Sequence, residues 1–188
     1  IEANFPDSEL ILVQPRREAF EYDVDHHGER FLIRNNGDGA RDFKVSETPV
    51  SAPGSENWKD FVPHLLGRPI AGFGVSQGHF VLYYRANGLP QVQIMDLSTG
   101  IKHDLSLDEE DYSVRLQGSR EWDSSVMRFS YASLTTPATV YDYDMSTRQR
   151  EFKKQVQVLG DFSSEKYQSR RVFATATDGT QVPISILY

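Results

Sequence analysis

An internal repeat of 48 residues constrains the fold of this chain more strongly than any other feature of its sequence. The stretches 80–96 (FVLYYRANGLPQVQIMD) and 128–144 (RFSYASLTTPATVYDYD) align without gaps, because 128 − 80 and 144 − 96 give the same offset. An earlier copy begins at Phe31, 49 residues before Phe80. Repeats of about 40–50 residues that hold several short strands are typical of β-propeller blades.

Short runs of β-branched and aromatic residues alternate with turn residues, and no stretch shows a sustained apolar stripe at helical spacing. This pattern predicts an all-β fold. The connections are rich in glycine and asparagine, which tolerate the positive φ of tight hairpins, so successive strands should be antiparallel. The predicted strands are 10–13, 20–24, 31–34, 42–45, 80–85, 91–96, 126–131, 139–143 and 171–175. The predicted turns are 35–39, 86–88, 98–100 and 178–179.

Each repeat is expected to form one blade: a strand, a turn, a second strand, and an Asp-x-Ser-Thr turn that leads into an outer strand. The aspartates of these turns are Asp96 and Asp144, and the Asp and Thr side chains should hydrogen-bond the backbone of their own turn. Complete propellers have about 4–8 blades, so we expect a partial β-propeller of about three to four four-stranded antiparallel sheets. The units are predicted to begin near Phe20, Ile70, Tyr112 and, for a fourth and different unit, Tyr167.

The composition excludes several classes of function. The 188 residues carry a net charge of −7 that is spread along the chain, so no basic face is available to bind nucleic acid. No cysteine is present, which excludes disulfides, thiolate metal sites and a cysteine nucleophile, and fits a cytoplasmic location. No apolar run approaches the roughly 20 residues that span a bilayer, so we expect no membrane association. No cofactor is expected either.

The two ends of the sequence favour a piece of a longer polypeptide. The chain begins with Ile1 rather than methionine, and residues 182–188 form a strand-like apolar run with no turn after it. Blades that lack their neighbours would leave apolar faces uncovered. We therefore expect the isolated chain to self-associate, through truncated blades or through the segments 1–5 and 182–188.

The pentapeptide 74–78 (GVSQG) has the form Gly-x-Ser-x-Gly, which in α/β-hydrolases places a nucleophilic serine on a strand-to-helix turn. The residues after Ser76 argue against that role, since 79–84 (HFVLYY) predicts a strand where a nucleophile elbow needs a helix. We interpret the pentapeptide as a turn between strands and expect no catalytic residue in it.

Histidines are the other candidates for chemistry. His26 and His27 stand in the acidic stretch 23–29, whose residue types bind metals. Adjacent residues on a strand point to opposite faces, so only one of these imidazoles could readily serve a given ion, and a solvated hairpin tip is the favoured interpretation. We expect no metal site. The remaining histidines are isolated in sequence and are interpreted as packed or surface residues: His64, His79 and His103.

The run Asp108-Glu109-Glu110-Asp111 lies between predicted strands. Its simplest role is to keep a loop solvated and to discourage strand pairing at an edge, and the alternative is repulsion or attraction of charged peptides. The tryptophans Trp58 and Trp122 are interpreted as packing between blades, because the basic groove that a nucleic-acid stacking platform needs is missing.

Five segments together resemble the prolyl oligopeptidase family of serine peptidases, in the family's order and over nearly the whole chain. The resemblance implies a two-domain enzyme in which a β-propeller caps an α/β-hydrolase domain that carries the catalytic Ser, Asp and His. Within the family, the chain is most similar to the branch that cleaves after Arg and Lys. The segments are 21–36 (EYDVDHHGERFLIRNN), 57–64 (NWKDFVPH), 83–89 (YYRANGL), 131–145 (YASLTTPATVYDYDM) and 167–188 (YQSRRVFATATDGTQVPISILY).

In that layout residues 1–176 are part of the propeller, and residues 177–188 are the link into the peptidase domain and its first strand. The catalytic residues and the acidic residues that recognise basic side chains would lie downstream. The resemblance therefore assigns no catalytic, cofactor-binding or metal-binding residue to this chain, and it implies a gating function that restricts the active site to short peptides. The partners it implies are the protein's own peptidase domain and short basic peptides.

Two other classes of function stay open at this point. The chain could belong to the propeller of a non-enzymatic protein that binds proteins or peptides, which the residues beyond Tyr188 would decide. It could also be a hydrolase in its own right that uses Ser76, a view that requires labelling of the chain by a fluorophosphonate.

Overall fold

A computed structural model describes residues 5–118 and 121–188 of the chain. Residues 1–4, part of one segment expected to drive self-association, lie outside this range. Fourteen strands and two short 3-10 helices, Ser55–Asn57 and Ser164–Lys166, are formed by the described residues. The strands are β1 (Tyr22–His27), β2 (Arg30–Asn35), β3 (Lys44–Pro49), β4 (Lys59–Val62), β5 (Ile70–Val75), β6 (His79–Ala86), β7 (Leu89–Asp96), β8 (Lys102–Asp104), β9 (Tyr112–Gln117), β10 (Val126–Ser133), β11 (Thr139–Asp144), β12 (Gln149–Gln155), β13 (Ser169–Thr175) and β14 (Gln181–Leu187).

The strands form three four-stranded sheets and one two-stranded sheet, and within each sheet every strand pairs with its neighbour in sequence. The first sheet is β1–β4, the second is β5–β8, the third is β9–β12, and β13 and β14 form a separate hairpin. The predicted all-β fold is confirmed, and so are the four predicted unit starts, which fall within two residues of β1, β5, β9 and β13.

The chain divides into two compact units, Ile1–Ile70 and Ala71–Tyr188. The first unit contains β1–β4, and its centre holds Leu32, Ile33 and Val45, all without solvent exposure. A buried amide stabilises the turn after β2: the Asn35 side-chain N–H donates to Ser46 Oγ at 3.0 Å, and the Asn35 Oδ1 accepts from the backbone N–H of Gly37 at 3.1 Å. The polar side chain can be buried because its donor and one lone pair are both satisfied.

The core of the second unit lies between the second and third sheets. Ile94 and Phe129, one from each sheet, are fully buried. Burial of such side chains stabilises each by about 1.5–3 kcal/mol, so this apolar layer is the main force that holds the two sheets together. The second sheet and the residue after β8 contribute Val81, Val92, Ile94 and Leu105, and the third sheet with the residue after β11 contributes Val114, Met127, Phe129, Tyr131, Tyr143 and Met145.

The two copies of the repeat occupy equivalent hairpins, β6–β7 and β10–β11, as predicted, but their alignment needs a gap. Asp96 pairs with His79 and Asp144 pairs with Val126, so the offset is 48 residues in the second strand and 47 in the first (144 − 96 and 126 − 79). One extra residue in the connection of the second hairpin absorbs the difference. Because side chains alternate faces along a strand, the gap keeps Met127 and Phe129 on the buried face.

The predicted Asp-x-Ser-Thr turns are confirmed for the aspartate in both copies and for the threonine in the first copy, where Thr99 Oγ1 accepts the backbone N–H of Ile101 at 3.3 Å. Asp96 Oδ1 accepts the backbone N–H groups of Ser98 and Thr99 at 2.8 and 3.0 Å. Asp144 Oδ1 accepts the corresponding groups of Ser146 and Thr147 at the same two distances. Hydrogen bonds to the ionised form lower the pKa of Asp96 to about 2, led by the one from the Ser98 hydroxyl.

Some strand predictions were wrong. Residues 10–13 form no strand, and Leu10, Ile11 and Leu12 are more than 65 % exposed, so their β composition is not matched by a partner among the described strands. The prediction missed β4. The outer strands expected after the two Asp-x-Ser-Thr turns are present as β8 and β12, but the residue pattern did not indicate their bounds, and β12 (QREFKKQ) is exposed along its whole length and so has no apolar alternation. In the described part of the chain no helix is long and apolar enough to cross a bilayer.

Candidate functional site

Ser76 lies in the tight turn that joins β5 to β6. The backbone N–H of Ser76 donates to the carbonyl of His79 at 2.9 Å, and the chain then enters β6 rather than a helix. The interpretation of 74–78 as a turn between strands is therefore confirmed. Since no helix N-terminus follows, the local backbone lacks the geometry of a nucleophile elbow.

The turn brings Ser76 and His79 opposite each other, a proximity that the sequence alone does not indicate. Ser76 is 9 % exposed and His79 is 6 % exposed, and neither the serine Oγ nor the histidine Nε2 has a hydrogen-bond partner. A nucleophile needs its base within hydrogen-bond reach and a third group that orients the base. This pair has neither feature.

The two adjacent histidines lie at the end of β1, as expected for a hairpin tip. His26 pairs with Phe31 and His27 pairs with Arg30, and Gly28 in the turn has a φ of 60°. The His26 ring lies against Phe31, with 5.6 Å between ring centroids. Among the described residues no group of three or more His, Cys, Asp or Glu side chains converges on a point that could hold a metal ion.

The other histidines serve in packing or local hydrogen bonds. His64 Nε2 accepts the backbone N–H of Asp42 at 3.4 Å. His103 packs its ring 6.1 Å from that of Tyr143 in the cleft between the second and third sheets. Burial lowers the pKa of His103, and the charge of Arg148 and the neighbouring His79 lower it further, so the imidazole is neutral at pH 7.

The prediction that the tryptophans pack between blades is wrong for Trp58. Trp58 stacks on Phe20 at 6.2 Å and donates its indole N–H to the Pro53 carbonyl at 2.9 Å, all within the first unit. Trp122 is 46 % exposed, and its carbonyl accepts the backbone N–H of Gln77 at 2.8 Å. Aromatic content alone does not distinguish packing within a blade from packing between blades.

The acidic loop 108–111 is more than a solvated connection, which corrects the simpler of its two interpretations. Asp108 pairs with Arg150 at 2.7 Å, and Glu110 accepts the backbone N–H of Arg171 at 3.1 Å. Asp111 pairs with the Arg171 side chain at 2.9 Å, and the two side chains are only 18 % and 10 % exposed. The loop therefore binds β13, which contains Arg171.

Glu109 anchors the same loop from its other side. Its carboxylate accepts hydroxyl hydrogen bonds from Tyr131 at 3.1 Å, Thr135 at 2.7 Å, and Ser169, at the start of β13, at 3.4 Å. Burial alone would raise the pKa of Glu109, but hydrogen bonds from the surrounding hydroxyls outweigh it and lower the pKa. Burial and the Glu109 charge raise the pKa of Tyr131. The loop thus fastens β10 and β13 through a single carboxylate.

The β6–β7 turn completes the seat of the β13–β14 hairpin. The Asn87 carbonyl accepts a hydrogen bond from the Arg171 guanidinium. Gly88 has a φ of 78°, and a Cβ atom at this position would lie 3.0 Å from the Arg171 side chain and 3.5 Å from Pro183. The positive φ of the turn favours glycine here, and the hairpin approaches closely enough that a Cβ would touch the end of the Arg171 side chain.

We name the acidic loop 108–111, the turn residues Asn87 and Gly88, and Arg171 the hairpin seat. It holds β13–β14 against the second and third sheets by charge-assisted hydrogen bonds, and it contains no convergent nucleophile and base. The sequence did not reveal it, since Asp111 and Arg171 are 60 residues apart. The signal that could have indicated it was the complementary charge of the run 108–111 and the pair Arg170-Arg171.

Comparison with known proteins agrees with this architecture. The profile of the prolyl oligopeptidase N-terminal β-propeller domain matches residues 3–156. The chain is 36 % identical over 180 residues to dipeptidyl aminopeptidase BI of Pseudoxanthomonas mexicana, covering 95 % of this chain and 25 % of that protein. It is 26 % identical to Protease 2 of Moraxella lacunata, covering the whole of this chain and 26 % of that protein.

Solved structures give the same result. The oligopeptidase B of Trypanosoma brucei, in a closed form with covalently bound antipain, is similar with a TM-score of 0.83 and 32 % identity, over 94 % of this chain and 26 % of that one. The oligopeptidase B of Leishmania major gives a TM-score of 0.81 and 28 % identity over 94 % of this chain and 26 % of that one. The chain spans about a quarter of the length of these relatives.

Sheet topology, repeat and turns together define part of a β-propeller, which confirms the predicted fold class. The chain belongs to the prolyl oligopeptidase family, and its match lies in the N-terminal propeller domain of that family.

Proposed function

We propose that this chain is a non-catalytic, substrate-gating part of the propeller of a serine oligopeptidase that hydrolyses short peptides after Arg or Lys. The observation that carries the proposal is the match of residues 3–156 to the family's propeller domain. The similarity to two structures of oligopeptidase B supports the choice of branch within the family. The mechanism is steric: a propeller over a hydrolase site limits which peptides reach it and excludes bulk water.

The boundary between the two domains is part of this proposal. The sequence predicts it between residues 176 and 177. β13 pairs only with β14 among the described strands, so the two belong to one element. We therefore place the whole hairpin, from Ser169 onward, on the peptidase side, where the hairpin seat becomes a contact between the propeller and the peptidase domain.

Electrostatics and location are further elements of the proposal. An acidic propeller would raise the local concentration of Lys- and Arg-containing peptides, within the roughly 8 Å over which charge acts at physiological salt. The net charge of −7 supports this effect. The absence of cysteine is the support for a cytoplasmic location.

The test uses the full-length parent protein and matched peptides that differ only at the residue before the cleaved bond. We expect cleavage after Arg and Lys and little after Pro or Leu. A fluorophosphonate should label a serine outside residues 1–188. The Ser76→Ala variant of the parent should keep full turnover, and the 188-residue chain alone should have none.

Other outcomes would favour the alternatives. A parent protein that neither hydrolyses peptides nor reacts with the fluorophosphonate would be a non-enzymatic binding propeller. Turnover by the 188-residue chain that disappears in Ser76→Ala would show a hydrolase centred on Ser76, and contaminating protease is excluded by the loss in that variant.

A further inference from the structure

A cleft of about 340 Å³ lies where the outer strand β8 of the second sheet meets the turn after β11 of the third sheet. Its size falls within the range of small-ligand sites, about 300–1,000 Å³. The second sheet contributes His103 to its wall, and the third sheet contributes Tyr143 together with Arg148 of the turn. A ligand bound in this cleft would therefore contact both sheets.

Two polar atoms at the centre of the cleft have no protein partner. The rings of His103 and Tyr143 lie side by side, with 6.1 Å between their centroids. The His103 Nε2 is buried and forms no hydrogen bond. Tyr143 is only 5 % exposed, and its hydroxyl forms no hydrogen bond with any residue that the structure describes. Buried polar groups are normally hydrogen-bonded, so two unpartnered groups in contact require an explanation.

Arg148 brings a positive charge to these two rings. In the described part of the chain, no hydrogen bond or ion pair joins its guanidinium to another residue. Its charge adds to the burial that lowers the pKa of His103, and it opposes the burial that raises the pKa of Tyr143. The cation thus acts on both rings at once, which places the three groups around one point of the cleft.

The acidic residues of the cleft do not compensate Arg148. Asp108 is already paired with Arg150, at 2.7 Å. Asp104 follows His103 on β8, so its side chain points to the opposite face of the sheet, where its Oδ1 accepts a hydrogen bond from Gln93 at 3.1 Å. The cleft therefore presents a guanidinium without a counter-ion, in a chain whose net charge is −7.

The backbone at Arg148 is unfavourable for an arginine. Its φ is 62°, and the same position in the preceding copy of the turn is Gly100, with a φ of 72°. In both copies the backbone N–H donates to the carbonyl of the turn aspartate at 2.8 Å, so the conformation is fixed by the turn. Stability alone favours glycine here, and strain of this kind is often found at functional sites. A binding role of the guanidinium accounts for the arginine.

From these observations we propose that the cleft binds a small oxyanion through the Arg148 guanidinium, the Tyr143 hydroxyl and the His103 Nε2. Guanidinium and hydroxyl donors suit the oxygens that phosphate and carboxylate groups share. Because one ligand residue belongs to the second sheet and two belong to the third, the anion would join the sheets. The inference goes beyond the gating function and does not depend on which peptides the parent protein cleaves.

The experiment follows the Cε1–H signals of the five histidines of the 188-residue chain by NMR as the pH is varied. The probes are inorganic phosphate, N-acetylglycine and, as an uncharged control, N-acetylglycinamide, all at one ionic strength set with chloride. Burial, Arg148 and His79 hold the pKa of His103 below its ordinary value of 6.5. A bound anion should raise it, by about one unit if the imidazolium form binds tenfold more tightly. His64, in the first unit, should not respond.

Three variants separate the site from general charge effects. Arg148→Gly should weaken binding about 10-fold or more, and loss of fold cannot explain this result because glycine suits the backbone at this position. Tyr143→Phe keeps the ring and should weaken binding about 3- to 10-fold. Arg115→Ala removes an exposed guanidinium from the opposite face of the third sheet and should leave binding unchanged.

The outcomes are distinct. The proposal is overturned if neither phosphate nor N-acetylglycine moves the His103 titration, if Arg148→Gly binds as wild type does, or if Arg115→Ala weakens binding equally. A response to both anions but not to the amide supports a site for phosphate and carboxylate groups alike, and a response to phosphate alone supports a phosphate site. A parent protein without peptidase activity would refute the proposed function and leave this site standing.

Discussion

Arg171 and Asp111 form an ion pair with 2.9 Å between Nη1 and Oδ1, although 60 residues separate them in the chain. Both side chains are more than four-fifths buried. The pair is therefore less screened by salt and solvent than a typical surface pair, and the removal of one partner would leave the other charge poorly solvated and unpaired.

Replacement of Asp111 by Asn should loosen the β13–β14 hairpin. Loss of a charge-assisted hydrogen bond to a poorly exposed guanidinium reduces the free energy of hairpin docking by about 1.5–3 kcal/mol. Hydrogen exchange of the amides in 171–175 should accelerate accordingly. The matched control is Asp161→Asn, whose partner Lys166 is half exposed and whose loss should change stability by less than about 1 kcal/mol. Equal acceleration in both variants would contradict a special role for the hairpin seat.

The stability of the fold should depend on pH through the ionisation of Glu109, and the substitution Glu109→Gln should remove this dependence. The pKa of Glu109 is lower in the folded protein than its ordinary value of 4.5, so its ionised form stabilises the fold. That contribution is fully present above pH 4.5 and declines as the pH falls through the folded pKa. In thermal unfolding, the wild-type protein should have a higher melting temperature than Glu109→Gln at pH 7. The difference between the two melting temperatures should become smaller below pH 4.5. A gap that stays constant down to pH 3 would mean that the charge of Glu109 contributes nothing.

The turn residues Gly100 and Arg148 offer a matched pair of substitutions. Both have positive φ, 72° and 62°, at the same position of the repeated turn. A left-handed backbone conformation destabilises a residue with a Cβ by about 1–2 kcal/mol. Glycine avoids this strain, but it loses more conformational entropy on folding, which cancels part of the gain. Urea denaturation should show Arg148→Gly more stable by about 0.5–1 kcal/mol and Gly100→Ala less stable by about 1 kcal/mol. The same sign for both substitutions would refute the equivalence of the two turns.

Phe129 and Phe152 test where the core of the third sheet lies. Phe129 is fully buried between the second and third sheets, and Phe152 is 58 % exposed on β12. Truncation to alanine should cost about 3–5 kcal/mol at Phe129. At Phe152 the cost should be below about 1 kcal/mol, because its ring packs edge-on against Tyr141 and is otherwise largely in solvent. Similar urea midpoints for the two variants would show that the layer between the sheets is not the core.

Self-association of the isolated chain is the remaining prediction. All seven residues of β14 are exposed, among them Ile184 and Ile186 at about two-fifths. Light scattering at micromolar concentration should show a dimer or larger species, because apolar strands of this kind seldom stay uncovered. The double variant Ile184→Asp with Ile186→Asp should be more monomeric than Thr180→Asp, a charge added in the turn. A monomeric wild-type chain would refute the prediction.

The sequence predicted those parts of the fold that depend on local pattern. In the hairpin β6–β7, β6 is a continuous apolar run, β7 alternates between buried and half-buried residues, and an Asn-Gly turn joins them, all of which short-range rules detect. The outer strand β12 was expected after the Asp144 turn, but its bounds were not, because an outer, fully exposed strand has no apolar face that marks where it begins and ends. The segment 10–13 was wrongly predicted to be a strand. Its β-branched and apolar residues are compatible with a sheet, but composition does not show whether a partner strand lies beside the segment.

For the candidate site, the sequence predicted only that the turn at Ser76 is not a nucleophile elbow. The strand after Ser76 is a local property, which the residue pattern of β6 indicates directly. The inward orientation of Glu109 and Asp111 depends on where β10 and β13 lie, which a single sequence does not contain. The one-residue gap in the repeat was hidden for a related reason, since an alignment of residue types does not report the face of the sheet on which a side chain lies.

The repeated Asp-x-Ser-Thr turn has a consequence for how such an array diverges after duplication. One carboxylate accepts two backbone amides in each copy and thereby determines the loop shape, so the residue at its end is free to drift from glycine to arginine. In diverging copies of the turn, the aspartate at the first position should therefore be retained more often than the glycine at the last position. Copies of the module in distant descendants are therefore better recognised by their acidic first position than by the small residue that usually identifies a turn.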